Sequence, residues 1–483
     1  MTWLLRARPP SAEVVIGTGV RQLESCIFEG SWVGGPGADG LLGSTTPFGS
    51  GVVAAGAELW IVPPGHTLEG VYIHRAGNAL TASNSLVALL VGTGLELDPA
   101  VDYMPLFDAS VRGRLRTAIP TSDGPIEACF YDNLAIDLDG RPTTMVKPRE
   151  APFTDFANYR ARLSAALASV LVNAPEGVEP VNSISSGYDS AAVAVISAEQ
   201  GLRRALTISD GKRVKGSASL DDSGEAVARH LGMAVERIDR AAYLRRTDLP
   251  EAEFLASGFT GEEVVFRAME DGLRGGMLLT GFYGDGMFWM NRPRRPLLWR
   301  SDQSGSSFGE WRLRTGFIHV PLTCFGSHDY RVTQFISRSA EMRPWVIGQR
   351  DDRPIPRRIL EEAGIRRGTF ARRKRAASGT IHVEGPTALA QATRASLDRF
   401  AAGEGHTVRF LPRGLRRWER VVLKVSRRVG LEKVAARVER RKLRLSVTES
   451  AFGNLLLRWA VSVVRERYAE LAEPADDTAA RAS

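Results

Sequence analysis

Cysteine is scarce in this sequence: Cys26, Cys129 and Cys324 are scattered over 483 residues and form no CxxC pair. That excludes a disulfide-stapled secreted scaffold and argues against a structural zinc site. Long apolar runs are also missing. Stretches such as Ser85–Val91 and Ala191–Ile196 have the length of core elements, short of the ~18 residues a membrane span needs. Arg6 and Arg8 interrupt the apolar residues near Met1, so no signal-peptide core is expected. The seven histidines (His66, His74, His230, His319, His328, His382, His406) show no HExxH or similar ligand spacing, and no GxSxG elbow or Ser-His-Asp motif appears. Lysine is rare, seven residues against 56 arginines. No internal repeat is visible. The expectation is a reduced, cytoplasmic protein.

What is present is ordinary globular composition, 43% hydrophobic and 24% charged, enough for two or three domains at ~150 residues each. The charge is unevenly placed. Residues 1–200 carry 12 Lys and Arg against 21 Asp and Glu, and the remainder 51 against 34. An acidic N-terminal unit thus precedes a basic half suited to phosphate, nucleic acid or a membrane surface, unless the excess arginine merely solvates exposed faces.

Residues 1–150 are rich in Gly, Pro, Ser and Thr. Val14–Ile16, Glu58–Val62, Gly70–His74 and Ile126–Asp137 read as strands, Pro63–Gly65 and Asp139–Gly140 as turns, and Asn84–Leu90 as a helix, which makes a β-rich α+β unit. From Asp155 the pattern alternates. Asp155–Val172 is a helix, Glu179–Ile184 a strand, Asp189–Gln200 a helix, Arg204–Ile208 a strand, Ser223–Leu231 a helix, and Ala234–Ile238 and Met277–Thr280 strands. Alternation of this kind gives a parallel α/β sheet. Beyond about residue 300 the pattern is helical and basic. Trp418–Arg444 and Ser450–Leu471 read as amphipathic helices, and Pro474–Ser483 as a frayed tail.

The chemistry concentrates in Asn182–Ser190, NSISSGYDS, between a strand and a helix. Ser185, Ser186 and Gly187 form a small-residue turn whose N–H groups, with the positive end of the next helix, suit phosphate oxygens. Ser185 and Ser190 add hydroxyl donors. Asp189 beside a phosphate site makes sense as a Mg²⁺ ligand. No GK[ST] follows, so this is not a Walker loop.

These residues resemble the SGGxDS pyrophosphate loop of the asparagine-synthetase-like ATP pyrophosphatases, with Ser186 in place of the first glycine. Three further segments resemble that family: Asp222–Gly232 (DSGEAVARHLG), Leu278–Asp285 (LLTGFYGD) and Ala371–Arg375 (ARRKR). The resemblance covers about Asp155–Ser378. It implies an adenine nucleotide α-hydrolase-like PP-loop fold over residues 151–380, after a β-rich domain at 1–150 and before a basic helical region at 381–483.

It also implies ATP and Mg²⁺ as cofactors, bound by Ser185, Ser186, Gly187, Asp189 and Ser190. Ser209 would stand at the strand end that lines the adenine, and Asp285 would share the metal with Asp189. Lys374 would stabilise charge as an acyl-adenylate forms. Arg357 and Arg358 are weaker candidates for the leaving pyrophosphate.

The departures bear on substrate. Phe282 stands where asparagine synthetases place a glutamate, and Gly286 where their turn ends in another. Tyr283 matches the tyrosine of the β-lactam synthetase branch and is the candidate proton acceptor, a role for which a phenol of pKa ~10 needs a cationic neighbour. Met1-Thr2-Trp3 lacks the cysteine nucleophile of the family's glutaminase, and Cys26 is internal. Thr2 is a poor substitute, so residues 1–150 are expected to be a decayed relative of that domain. His328, in FGSHDY, could border the site.

The reading is an ATP-dependent ligase or cyclase that adenylates a small-molecule or peptide carboxylate and couples it to an amine, between molecules or within one. Rivals are a non-catalytic relative that binds a nucleotide or partner, and an RNA-modifying pyrophosphatase, against which the missing paired cysteines argue. Basic C-terminal helices would allow peripheral membrane contact.

Overall fold

The Gly- and Pro-punctuated strands of the first third pair antiparallel. A computed structural model describes residues 1–8, 11–56, 58–137, 139–209, 223–370, 381–405, 408 and 449–472. Its first twelve strands are β1 (Trp3–Arg8), β2 (Ser11–Ile16), β3 (Arg21–Leu23), β4 (Cys26–Trp32), β5 (Pro47–Ala55), β6 (Glu58–Val62), β7 (Val71–Ala76), β8 (Ala79–Ser83), β9 (Arg116–Pro120), β10 (Pro125–Cys129), β11 (Asn133–Ile136) and β12 (Pro142–Met145). They make two six-stranded sheets, ordered β2-β1-β8-β7-β10-β9 and β12-β11-β6-β5-β4-β3.

Side-chain alternation stacks the two sheets. Trp3, Leu5 and Ala7 of β1 meet Val52, Ile61 and Leu134 of the second sheet in one core. Leu4, on the opposite face of β1, joins a different core with the helix Leu86–Thr93. The strand expected over Ile126–Asp137 is two strands in different sheets. Tyr131 takes a left-handed φ of 67° at the break between them, a conformation no periodicity announces.

The Asp155 side chain caps the helix Phe156–Val172, accepting from Asn158 N–H at 2.8 Å. Beyond it lie β13 (Pro180–Ser183), β14 (Arg204–Ser209), β15 (Ala234–Asp239), β16 (Met277–Thr280) and β17 (Ile318–Pro321). All pair in parallel, in the order β15-β14-β13-β16-β17. Both faces are covered, which explains the unbroken apolar run of β16. Met277 and Leu279 enter one core, and Leu278 enters the other.

β17 lies in the stretch read as helical, because His319 and Pro321 hide a four-residue strand. The helices expected at Asp189–Gln200 and Ser223–Leu231 are Tyr188–Glu199 and Glu225–His230. From β13 the chain steps outward to β14 and β15, then returns to add β16 and β17 on the other side. The order therefore reverses between β13 and β16, the place where open α/β sheets bind ligands.

The segment Ser450–Leu471 is helical as expected, and much of it is buried. Helix Glu449–Val464 and the 3₁₀ turn Arg465–Leu471 pack on Ala252–Leu255 and Leu86–Thr93, with Leu456, Trp459 and Ala460 buried. One core thus draws on the N-terminal, central and C-terminal parts of the chain. Trp418–Arg444 and Pro474–Ser483 lie outside the described residues. Among the described residues no helix is long and apolar enough to cross a membrane.

A buried charge cluster joins the antiparallel sheets to the parallel one. Arg312, on the helix Gly309–Thr315, donates to Glu29 of β4 at 2.7 and 3.0 Å and pairs with Glu69 at 2.7 Å. Burial works to raise the Glu69 pKa. The Arg312 charge and the His319 contact together outweigh it and lower the carboxyl to about 2. A depressed carboxyl pKa means stability present above about pH 4.5 and lost as the pH falls toward 2. Removing one partner of a buried pair leaves the other charged and uncompensated, at about 3–5 kcal/mol. Arg312→Ala should therefore lose about that much stability in denaturant unfolding and raise the pH midpoint of acid unfolding. An unchanged midpoint would show that Arg312 does not hold Glu69.

Candidate functional site

The two turns singled out in the sequence lie side by side at the reversal of strand order. After β13 the chain turns through Ser185–Gly187 into the helix Tyr188–Glu199, whose N-cap, Gly187, brings no side chain to its first turn. Ser185 and Ser190 tie the turn to the helix. Ser185 N–H donates to Ser190 Oγ at 3.1 Å, the two hydroxyls lie 2.8 Å apart, and Gly187 N–H donates to Ser185 Oγ at 3.2 Å. Ser186 is buried. Twelve residues of helix aim their positive end at this turn.

After β16 the chain turns through Gly281–Tyr283 into the short helix Gly284–Phe288. A Cβ on Gly281 would sit 2.3 Å from Ser190 N, and one on Gly284 2.2 Å from Asp189 Cγ. Glycine fits both positions because the backbone at Ser190 and the Asp189 side chain approach this closely.

That approach brings together Asp189 and Asp285, the two carboxylates expected to share a metal, and a residue the sequence reading missed. Arg353 donates from Nη1 to Asp189 Oδ2 and from Nη2 to Asp285 Oδ1, each at 2.5 Å. The three side chains are 11–25% exposed. Burial alone would lower the Arg353 pKa, but the two carboxylates outweigh it and raise it. Ser301 Oγ also contacts Asp285 Oδ2, at 3.4 Å.

Arg353 is firmly placed as the N-cap of the helix Pro354–Glu362. The preceding Asp352 accepts from Ile347 and Gly348 N–H at 2.7 and 2.8 Å and pairs with Arg357 at 2.7 Å. Nothing in the string DDRPIP distinguishes Arg353 from 55 other arginines.

The remaining candidates fall elsewhere. Arg357 is buried and bonded to Asp352 and the Tyr188 hydroxyl, and Arg358 pairs with Glu341 and Glu362 while lying over Phe156. These ion pairs and ring contacts hold both arginines against neighbouring protein groups. Ser209 closes β14, and Lys374 lies outside the described residues. His328 is half-buried among the charges of Arg149, Glu150 and Arg162, and burial lowers its pKa. Thr2 Oγ1 contacts the Tyr468 hydroxyl at 3.0 Å. Cys26 is buried, and burial raises its thiol pKa.

Tyr283, expected as the proton acceptor, points into the N-terminal unit. Its hydroxyl accepts from Thr67 N–H at 3.1 Å and shares a hydrogen bond with Thr67 Oγ1 at 2.7 Å. Burial raises the phenol pKa, the nearby Arg300 charge notwithstanding. A buried phenol with a raised pKa, hydrogen-bonded to Thr67, tethers this turn to the N-terminal unit, which argues against the proton-acceptor role. Its φ of 82° is left-handed, strain that the tether holds in place.

Phe282 packs among Phe266, Phe308 and His319. Close by, Glu263 is fully buried and accepts from Gly305 and Ser307 N–H at 2.6 and 2.9 Å, with a pKa raised to about 8 chiefly by burial.

The donor set suits Mg²⁺ on a phosphate, which takes one or two protein carboxylates and completes its shell with phosphate oxygens and water. Among the described residues no group of three or more His, Cys, Asp or Glu side chains could hold a metal alone. Two surface clefts of about 440 and 310 Å³, one lined by Arg21, Trp32 and Asn173 and the other by Asp248, Arg267 and Arg467, share no residue with this site. The chain matches no protein-family model and no curated protein.

Tyr283→Phe strips a buried acceptor from Thr67 N–H and should destabilise the protein by about 1–3 kcal/mol in denaturant unfolding. Loss of activity with unchanged stability would return the phenol to proton transfer.

Proposed function

We propose that the turns at 185–190 and 281–285 form a Mg²⁺–ATP site, and that the chain is an ATP-dependent carbon–nitrogen ligase similar to the asparagine-synthetase-like ATP pyrophosphatases, without glutaminase chemistry. One observation carries this reading. Two carboxylates from separate strand ends, Asp189 and Asp285, converge on a single cation where the strand order reverses.

In this reading the N–H groups of the helix start at 187–190 and the Ser185 and Ser190 hydroxyls hold the β- and γ-phosphates. Asp189 and Asp285 would hold Mg²⁺, which when bound neutralises phosphate charge. A substrate carboxylate oxygen attacks the α-phosphorus. The bond from that phosphorus to the bridging oxygen breaks, and pyrophosphate leaves with the bond's electrons. The nitrogen of an amine then attacks the acyl carbon, the carbon–oxygen bond to phosphate breaks, and AMP leaves as the nitrogen gives up a proton. Lys374 is the residue the resemblance assigns to stabilising charge in the first step. Tyr283 is not retained as the base in the second.

A non-catalytic nucleotide- or partner-binding relative is the second reading, favoured by the guanidinium already seated between the carboxylates. Calorimetric titration of Mg²⁺–ATP tests the nucleotide site that the ligase reading requires. The wild type should bind one equivalent, and Asp189→Ala about tenfold or more weaker, as follows from losing a charged hydrogen-bonding partner. Equal binding by both proteins, or binding by neither, would overturn the site.

A further inference from the structure

The geometry points to Arg353 as a cation that competes with a free divalent metal for Asp189 and Asp285, a positioning residue that keeps the two carboxylates together until metal arrives with nucleotide. This inference rests on the Mg²⁺–ATP reading and goes beyond it in assigning the order of loading.

Two carboxylates brought together at the closely packed turns would repel one another if left alone. The planar guanidinium satisfies both at once, one nitrogen to each, in a fork an ammonium cannot reproduce. Its position is set by Asp352 and by a helix packed on Tyr188–Glu199. The Arg353 side chain therefore engages the two carboxylates that would hold a metal. A divalent ion arriving alone must displace a buried, doubly paired arginine. An ion arriving with nucleotide brings phosphate oxygens that complete its shell and give the released guanidinium a new bidentate anion. Metal and nucleotide should accordingly bind together and not in sequence.

The test uses Mn²⁺ alone, followed through the loss of its free-ion electron paramagnetic resonance signal, on the full chain without nucleotide. Arg353→Gln, which removes this guanidinium from the two carboxylates, should take up one Mn²⁺ per chain at least about tenfold more tightly than the wild type. Arg353→Lys, with one point charge for two carboxylates, should fall between them and carries the test should the glutamine variant fold poorly. A gain in metal affinity is a change that mere structural damage does not produce. Wild type binding Mn²⁺ as tightly as the variants, or folded variants that gain no affinity, would overturn the inference. Neither result would touch the Mg²⁺–ATP reading, which stands or falls on nucleotide binding by the wild type.

Discussion

Where β16 ends, Gly281 and Gly284 lie so close to the start of the helix after β13 that a methyl group on either would overlap Ser190 or Asp189. The rest of the site follows from that approach. It sets the carboxylates of Asp189 and Asp285 within reach of one guanidinium, at the point where the sheet order reverses, the place where open α/β sheets bind ligands. A sheet alone would give only the reversal. The glycines make the two strand ends act as one site, and the arginine shows that the pair attracts a cation strongly enough to hold one under cover.

The second turn is also held from its other side. Tyr283 reaches Thr67, Phe282 packs against Phe308 and His319, and His319 contacts the Thr280 hydroxyl at 2.9 Å. Thr67 lies two residues from Glu69, and Glu69 pairs with Arg312. The antiparallel sheets therefore brace the turn that carries Asp285. A nucleophile at the start of the chain is not required for that task, which gives residues 1–150 a physical role independent of glutaminase chemistry.

Much of this was legible in the sequence where local pattern and tertiary need agree. The strand–turn–helix at Asn182–Ser190 and the strand at Met277–Thr280 were readable from small residues and apolar runs at strand ends, and the convergence of Asp189 with Asp285 came from the resemblance to the pyrophosphatase turns. Residues acting at a distance were not. Arg353 looks like any other arginine until the fold brings it 164 residues back to Asp189. Tyr283 reads as a candidate base because its partner, Thr67, is 216 residues away. β17 and the break at Tyr131 were lost for a more local reason, since four residues with a histidine and a proline, or one left-handed tyrosine, leave no periodic trace. The C-terminal helix kept its helical pattern, but its burial against Leu86–Thr93 was invisible from its own residues.

Hydrogen–deuterium exchange on the full chain, with and without Mg²⁺–ATP, tests most directly whether these turns are one nucleotide site. Nucleotide should slow exchange together in peptides spanning residues 183–191 and 280–287, with the ends of the flanking strands changing less. Protection confined to other parts of the chain, or none at either turn at saturating nucleotide, would contradict it.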